Sequence, residues 1–241
     1  MSFTLESYSN PVWVDAAQTT IDADVVFTEI GVAIPFTASK NDPDPHGVTV
    51  FDAIVAGNAT IPIGAYVPPT LTTIQTAQLA IVSAACEAAI TAGFNTTIGG
   101  TAYTITLAAQ DQSNANFNAA TAQAALASTA WAASTTYAAN AMVSVGGEIL
   151  VTFAGGESGT TAPTAPTSFQ TAVTDNTITW YRLGFWVNAL PNNIMVDPAT
   201  MITIFGQGVI WINACRSKYQ AYRTEILATT TATAAQAIVW Q

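Results

Sequence analysis

Apolar positions change their spacing along the chain, and the changes mark out its elements. Over residues 1–69, Val25-Val26-Phe27 and residues 32–36 predict strands, the second carrying Pro35, which suits an edge. Asn41-Asp-Pro-Asp-Pro-His-Gly47 collects turn formers, residues 48–55 fit a short strand or a helical turn, and the prolines of residues 61–69 predict an extended linker. From residue 70, Leu71, Ile74, Leu79, Val82, Cys86 and Ile90 recur at helical intervals, and Gly93 supplies the stop. Residues 95–98, Gly99-Gly100 and residues 103–107 predict a hairpin, and residues 110–128, with Phe117 and Leu126 spaced along them, a weaker helix.

The period shortens over residues 130–183. Trp131, Tyr137, Val143, Val145, Ile149, Val151 and Phe153 fall in alternating runs, with Gly146-Gly147 as a hairpin turn. Residues 155–166 predict a long irregular loop, and Asp175-Asn176 turn into a strand over 177–181. Over residues 184–241 a strand at 194–196 precedes a helix predicted from Pro198 or Thr200 to the end, bent at Gly206 and Gly208. Met201, Ile204, Val209, Ile212, Tyr219 and Ile226 belong to its apolar face, and Arg216, Lys218 and Arg223 fall late, where cations suit the carbonyl end.

The 241 residues suffice for one large domain or two small ones. Five Lys and Arg against fifteen Asp and Glu, a net charge of −10, exclude nucleic acid and anionic membrane surfaces as partners, since both demand clustered cations. Half the chain is hydrophobic, which excludes disorder. Residues 79–93 are too short to span a bilayer as they stand, and residues 1–10 hold an acid and no Lys or Arg, unlike a signal peptide. Only 8% of the chain is charged, against about a quarter in a solitary domain. Interface cores are depleted in charge, so the composition is that of an assembly subunit.

Catalytic constellations are wanting. His46 with Asp42 and Asp44 offers a base or a metal ligand, but the surrounding residues make a surface turn the favoured reading. There is no Gly-x-Ser-x-Gly elbow, and the loop at residues 155–159 lacks the Lys of a phosphate loop. Glu148, Glu157 and Asp175 offer carboxylates for glycoside cleavage, yet read better as solvated loop acids. Cys86 and Cys215 form no disulfide framework or metal spacing and read as buried apolar groups. The chain is expected to be no enzyme and to need no cofactor.

Residues 73–94 end in Cys86, Ile90, Gly93 and Phe94, and are followed by Tyr103 and by Asp111, Gln112 and Asn114. This pattern resembles the start of a phage tail-fibre domain of unassigned function, whose end is similar to residues 194–197 and a long helix finishing in Ala-Ile-Val-Trp240. Asn10-Pro-Val-Trp13, residues 31–39, Asp44-Pro-His-Gly47, residues 53–57 and 63–68 resemble the leaders that precede this domain, with His46 and Val48 as departures. Trp131, Thr136, Tyr137, Val143, Ser158, Gly159, Pro163 and Trp180 resemble a small aromatic-rich β module of phage tail proteins that is similar to chitin-binding carbohydrate modules. Asn140-Ala141 and Asn176 depart from it, where Gly-Asp and Gly are usual.

Taken together, these readings predict an α+β fold. A helical and small-sheet body (70–129 with 184–241) is interrupted by an inserted small all-β module (130–183) and preceded by an extended N-terminal virion-docking segment (1–69). The resemblance implies a virion tail protein made in the bacterial host cytoplasm, a tail-fibre or tail-tip subunit, trimeric, docked to other tail proteins and touching host surface glycan, without membrane insertion. A tail adaptor or capsid decoration protein is the alternative. Sugars lay apolar C–H faces on aromatic rings and need a few placed polar groups. Phe153, Tyr181, Trp131, Tyr137 and Trp180 are the candidate rings, with Asn140, Glu157 and Asn176 at the rim. For Trp131, Tyr137 and Trp180 the module's own core is the favoured role, leaving Tyr181 and Phe153 free to point outward.

Overall fold

The computed structural model describes residues 3–241. It is mixed α and β, with 38% helix and 27% strand in several small separate sheets, an α+β composition. The chain forms two compact units, Met1–Ile74 and Gln75–Gln241.

The first unit is a three-stranded antiparallel sheet of β1 (Leu5–Trp13), β2 (Thr20–Phe27) and β3 (Ala33–Ser39), with β2 central. Alternation on β2 buries Ile21, Ala23, Val25 and Phe27 and turns Asp22 and Asp24 to the other face. There Thr37 donates to Asp22 (2.6 Å) and Asn10 to Asp24 (2.9 Å), pairing the edge strands with the centre. Pro35 lies on edge strand β3, where a missing donor costs no central ladder bond. Residues 41–44 of the turn cluster stay non-helical, Pro45–Gly47 open a helix, and residues 48–55 take the helical alternative over the strand, giving α1 (Pro45–Ala56). Asp44 caps it by accepting from His46 N–H (3.0 Å) and Pro45 takes the first turn, so the turn chemistry is helix-start chemistry. Val50, Phe51 and Ile54 then close the core. The linker is pinned as well: Trp13 donates to Gly64 O (3.0 Å) and Gly64 to Pro11 O (2.7 Å). The expectation for residues 1–10 falls partly on residues 1 and 2, outside the described residues; from Leu5 the chain is β1.

α2 (Leu71–Ala92) ends at Gly93, which takes φ +84°; a Cβ there would lie 1.7 Å from the Ile105 carbonyl. The helix extends the 79–93 stretch to 22 residues and is, among the described residues, the one helix long and apolar enough, by length and composition alone, to cross a membrane. Its Cys86 and Ile90 nevertheless pack with Cys215. β4 (Phe94–Ile98) and β5 (Thr101–Ile105) form the predicted hairpin, with Gly99 and Gly100 both at positive φ, and α3 (Ala109–Leu126) follows.

Next come β6 (Thr136–Tyr137), β7 (Met142–Val145), β8 (Glu148–Val151), β9 (Gly156–Glu157), β10 (Ala172–Asp175) and β11 (Ile178–Arg182). They make a four-stranded sheet, β10-β11-β8-β7, and a two-stranded ladder of β6 with β9, the latter at the start of the predicted loop. Their core is Val143, Leu150, Ile178 and Trp180. β12 (Phe185–Val187) pairs with β14 (Ile194–Val196), and β13 (Ala189–Leu190) joins β5.

α4 (Pro198–Ala228) runs without interruption through Gly206 and Gly208, and its Met201 and Ile204 meet Phe94, Leu107 and Phe185 in the largest core. It does not reach the end of the chain. Thr229-Thr230-Thr231, β-branched and able to bond backbone locally, stop it, and Thr231 caps the short α5 (Ala232–Ala237) by accepting from Ala234 N–H (3.2 Å). Its last turn holds no basic residue, so Arg216, Lys218 and Arg223 do not cap it. Two amides of α2 tie this end down: Gln75 donates to Ile226 O (3.1 Å) and buried Gln78 to Ile238 O (2.7 Å).

Candidate functional site

Strand alternation sorts the β-rich segment's aromatics onto two faces. In β11, Ile178 and Trp180 point into the core and Tyr181 points out. Tyr181 pairs with Val151 of β8, which places Phe153, two residues on, diagonally beside it on the same face. The two rings meet with centroids 5.1 Å apart, tilted by 47°, and Phe153 is 63% exposed. They line a groove of about 370 Å³ whose other walls are Val151, Gln170, Arg182, Leu183 and Gly184.

Three of the candidate rings belong to the interior. Trp180 is fully buried, and Tyr137 stands edge-on to it at 5.1 Å. Half-buried Trp131 donates its indole N–H to Asp175 Oδ2 (2.8 Å), and Trp180 donates to the same oxygen (3.1 Å). Asp175 Oδ1 accepts from Gly159 N–H (2.7 Å). Asp175 is thus a buried hub and not a solvated loop acid. Gly159 has no room for a side chain, since a Cβ would sit 2.8 Å from that carboxylate, and buried Ser158 bridges by donating to Ala132 O (2.8 Å) and accepting from Thr135 N–H (2.9 Å). Asn140 (φ +63°) and Asn176 (φ +55°) are exposed turn residues in the left-handed region that Asn tolerates. Neither lines the Phe153–Tyr181 groove, nor does Glu157.

The groove is close to electrically neutral. Arg182, its one cation, is paired with Glu148 (2.6 Å) and held 4.6 Å over the Phe169 ring. Glu148 and Asp175 are therefore both engaged structurally and do not form a facing catalytic pair. Gln170, Leu183 and Gly184 carry no motif of their own. Leu183 and Gly184 follow Tyr181 in sequence, and Gln170 is brought to the rings by its N–H bond to Arg182 O (2.8 Å), which pattern reading misses.

The other candidate chemistry is dispersed. His46 sits among Phe3, Phe27 and Phe36, ring centroids 5.1–6.4 Å away, with a buried Nε2 that meets no partner, and not on a surface turn. Cys86 and Cys215 are buried, and burial pushes both thiols above their ordinary pKa, away from nucleophilic thiolate. No group of three or more His, Cys, Asp or Glu side chains among the described residues could hold a metal ion. In comparisons with known proteins, no family model, curated protein or solved structure significantly matches the chain.

Proposed function

We propose that this chain is a structural subunit of a bacteriophage tail, in a fibre or tip, and that it contributes to host attachment by binding surface glycan in the Phe153–Tyr181 groove. In this reading residues 130–183 are a β module inserted between the two parts of the body, and residues 1–69 dock to other tail proteins. The observation that carries the glycan assignment is the exposed Phe153 ring tilted against half-buried Tyr181 beside a neutral polar rim, on a sheet whose other large rings are committed to its core. Ring faces stack on the C–H faces of a sugar, and the Gln170 amide at the rim is suited to its hydroxyls.

Subunit packing is supported by the sparse charge and by apolar side chains on α4 left facing outward, Ile210 at 70% and Leu227 at 49% exposure. A multimer repeats weak sites, and effective concentration makes their sum tight. The test is binding of the full chain, presented multivalently on beads, to host lipopolysaccharide and to a glycan array. Binding lost in Phe153→Ala and Tyr181→Ala supports attachment. An unbound wild type leaves the alternative of a purely structural adaptor or decoration protein.

A further inference from the structure

A second, larger groove of about 480 Å³ opens between α3 and β12. Its rim carries Phe117, 74% exposed, and Trp186, 59% exposed. Trp186 stands outward because its strand neighbours Phe185 and Val187 are buried, and Asn118 donates to its carbonyl (3.4 Å). Trp186 is the one exposed tryptophan of the six in the chain.

The rest of the rim is uncharged in effect. No Lys or Arg lines the groove, and its single acid, Asp111, is occupied. Asp111 accepts from the Thr106 hydroxyl (3.0 Å) and the Ala108 N–H (3.2 Å) with one oxygen and from the Asn188 amide with the other. What remains for a ligand is two ring faces, the Asn118 and Gln170 amides and the Ser113 hydroxyl. Phosphorylated or acidic sugars would find no counter-charge there, whereas a neutral sugar finds both apolar faces and hydrogen-bonding groups.

The two grooves adjoin, since Gln170 and Gly184 line both. Gln170 is held there at φ +56° with its N–H bonded to Arg182 O (2.8 Å), and Gly184 cannot take a side chain, since a Cβ would lie 2.7 Å from the Phe169 ring. We infer that Phe153–Tyr181 and Trp186–Phe117 are two stacking platforms of one elongated site for a linear, uncharged oligosaccharide, with Gln170 between them. This rests on the reading of Phe153–Tyr181 as a glycan platform and adds the ligand's charge, its length and a second set of contacts.

The test is titration of the full chain with neutral linear bacterial oligosaccharides of two to eight sugars, followed by tryptophan fluorescence and calorimetry. Affinity should rise with length. Trp186→Ala, a surface change expected to leave the melting temperature alone, should weaken the longest ligands about fivefold to tenfold and disaccharides held at Phe153–Tyr181 by less than about twofold. The double variant Phe153→Ala with Tyr181→Ala should weaken both. If that double variant abolishes binding while Trp186→Ala and Phe117→Ala leave long ligands untouched, the elongated site is wrong and the first platform stands. If wild type binds none of them, both readings fall. If Trp186→Ala lowers the mass in solution by light scattering, the groove is a contact between copies and the inference is overturned.

Discussion

Removing the carboxylate of Asp175 should loosen the whole sheet that displays the Phe153–Tyr181 pair. Three N–H groups converge on it, from Trp131, Trp180 and Gly159, at 2.7–3.1 Å. A hydrogen bond to a charged group contributes about 1.5–3 kcal/mol, and a stranded buried donor costs about 1–3 kcal/mol. Trp131 is half-buried and can turn its indole N–H to water, so the loss comes mainly from Trp180, at 0% exposure, and Gly159. Asp175→Ala is therefore expected to lower the opening free energy of β11 by about 3–5 kcal/mol. Asp175→Asn keeps one acceptor oxygen; facing the two indoles, it forfeits the Gly159 bond alone and costs about 1–2 kcal/mol. Amide hydrogen exchange in β8 and β11 reads the opening of this sheet separately from the rest of the molecule. Equal effects of the two substitutions, or less than about 1 kcal/mol for Asp175→Ala, would refute the hub.

Other consequences are smaller in scope. Gly93→Ala should destabilise far more than Gly100→Ala: both carry positive φ, costing about 1–2 kcal/mol, but only at Gly93 does the new Cβ strike backbone, so thermal melts should separate them clearly. Asp197 caps α4 by accepting from the Thr200 N–H (2.9 Å) and hydroxyl (2.7 Å). Burial pushes this carboxyl up, but the Thr200 bonds outweigh it and hold its pKa below the ordinary 3.8. With the folded value below the unfolded one, the cap's contribution is complete above about pH 4 and lost as pH falls through the folded value. Asp197→Ala should cost about 1 kcal/mol at neutral pH and flatten that acid limb in pH-dependent melts. Gln78→Ala strips the bond to Ile238 and should speed exchange in α5 while leaving β11 unchanged.

Much of the element order was legible because it rests on local chemistry. Period-two alternation and paired glycines place β4, β5, β7 and β8, and Gly93 stops α2 where a left-handed residue is needed. The same local reading stopped short at the Asn41–Gly47 run, which turns as read but also starts a helix: turn formers double as helix caps, and the apolar residues that choose helix over strand, Val50 and Ile54, gain their meaning only against β2. The end of α4 was misjudged because apolar spacing continues toward Trp240 while the three threonines interrupt the backbone. At the site, outward Phe153 and Tyr181 follow from alternation, whereas burial of Asp175 does not, since its partners lie 5, 16 and 44 residues away. Gln170 likewise joins the rings only through its backbone bond to Arg182.

Whether uncharged glycan stacks on Phe153 and Tyr181 decides the role of their groove. The direct measurement is saturation-transfer NMR on the full chain with a neutral bacterial disaccharide, short enough to occupy that platform alone. Transfer concentrated on the sugar's ring C–H protons, and abolished in the double variant Phe153→Ala with Tyr181→Ala while its melt is unchanged, is the result expected here. Undiminished transfer in that variant would contradict it.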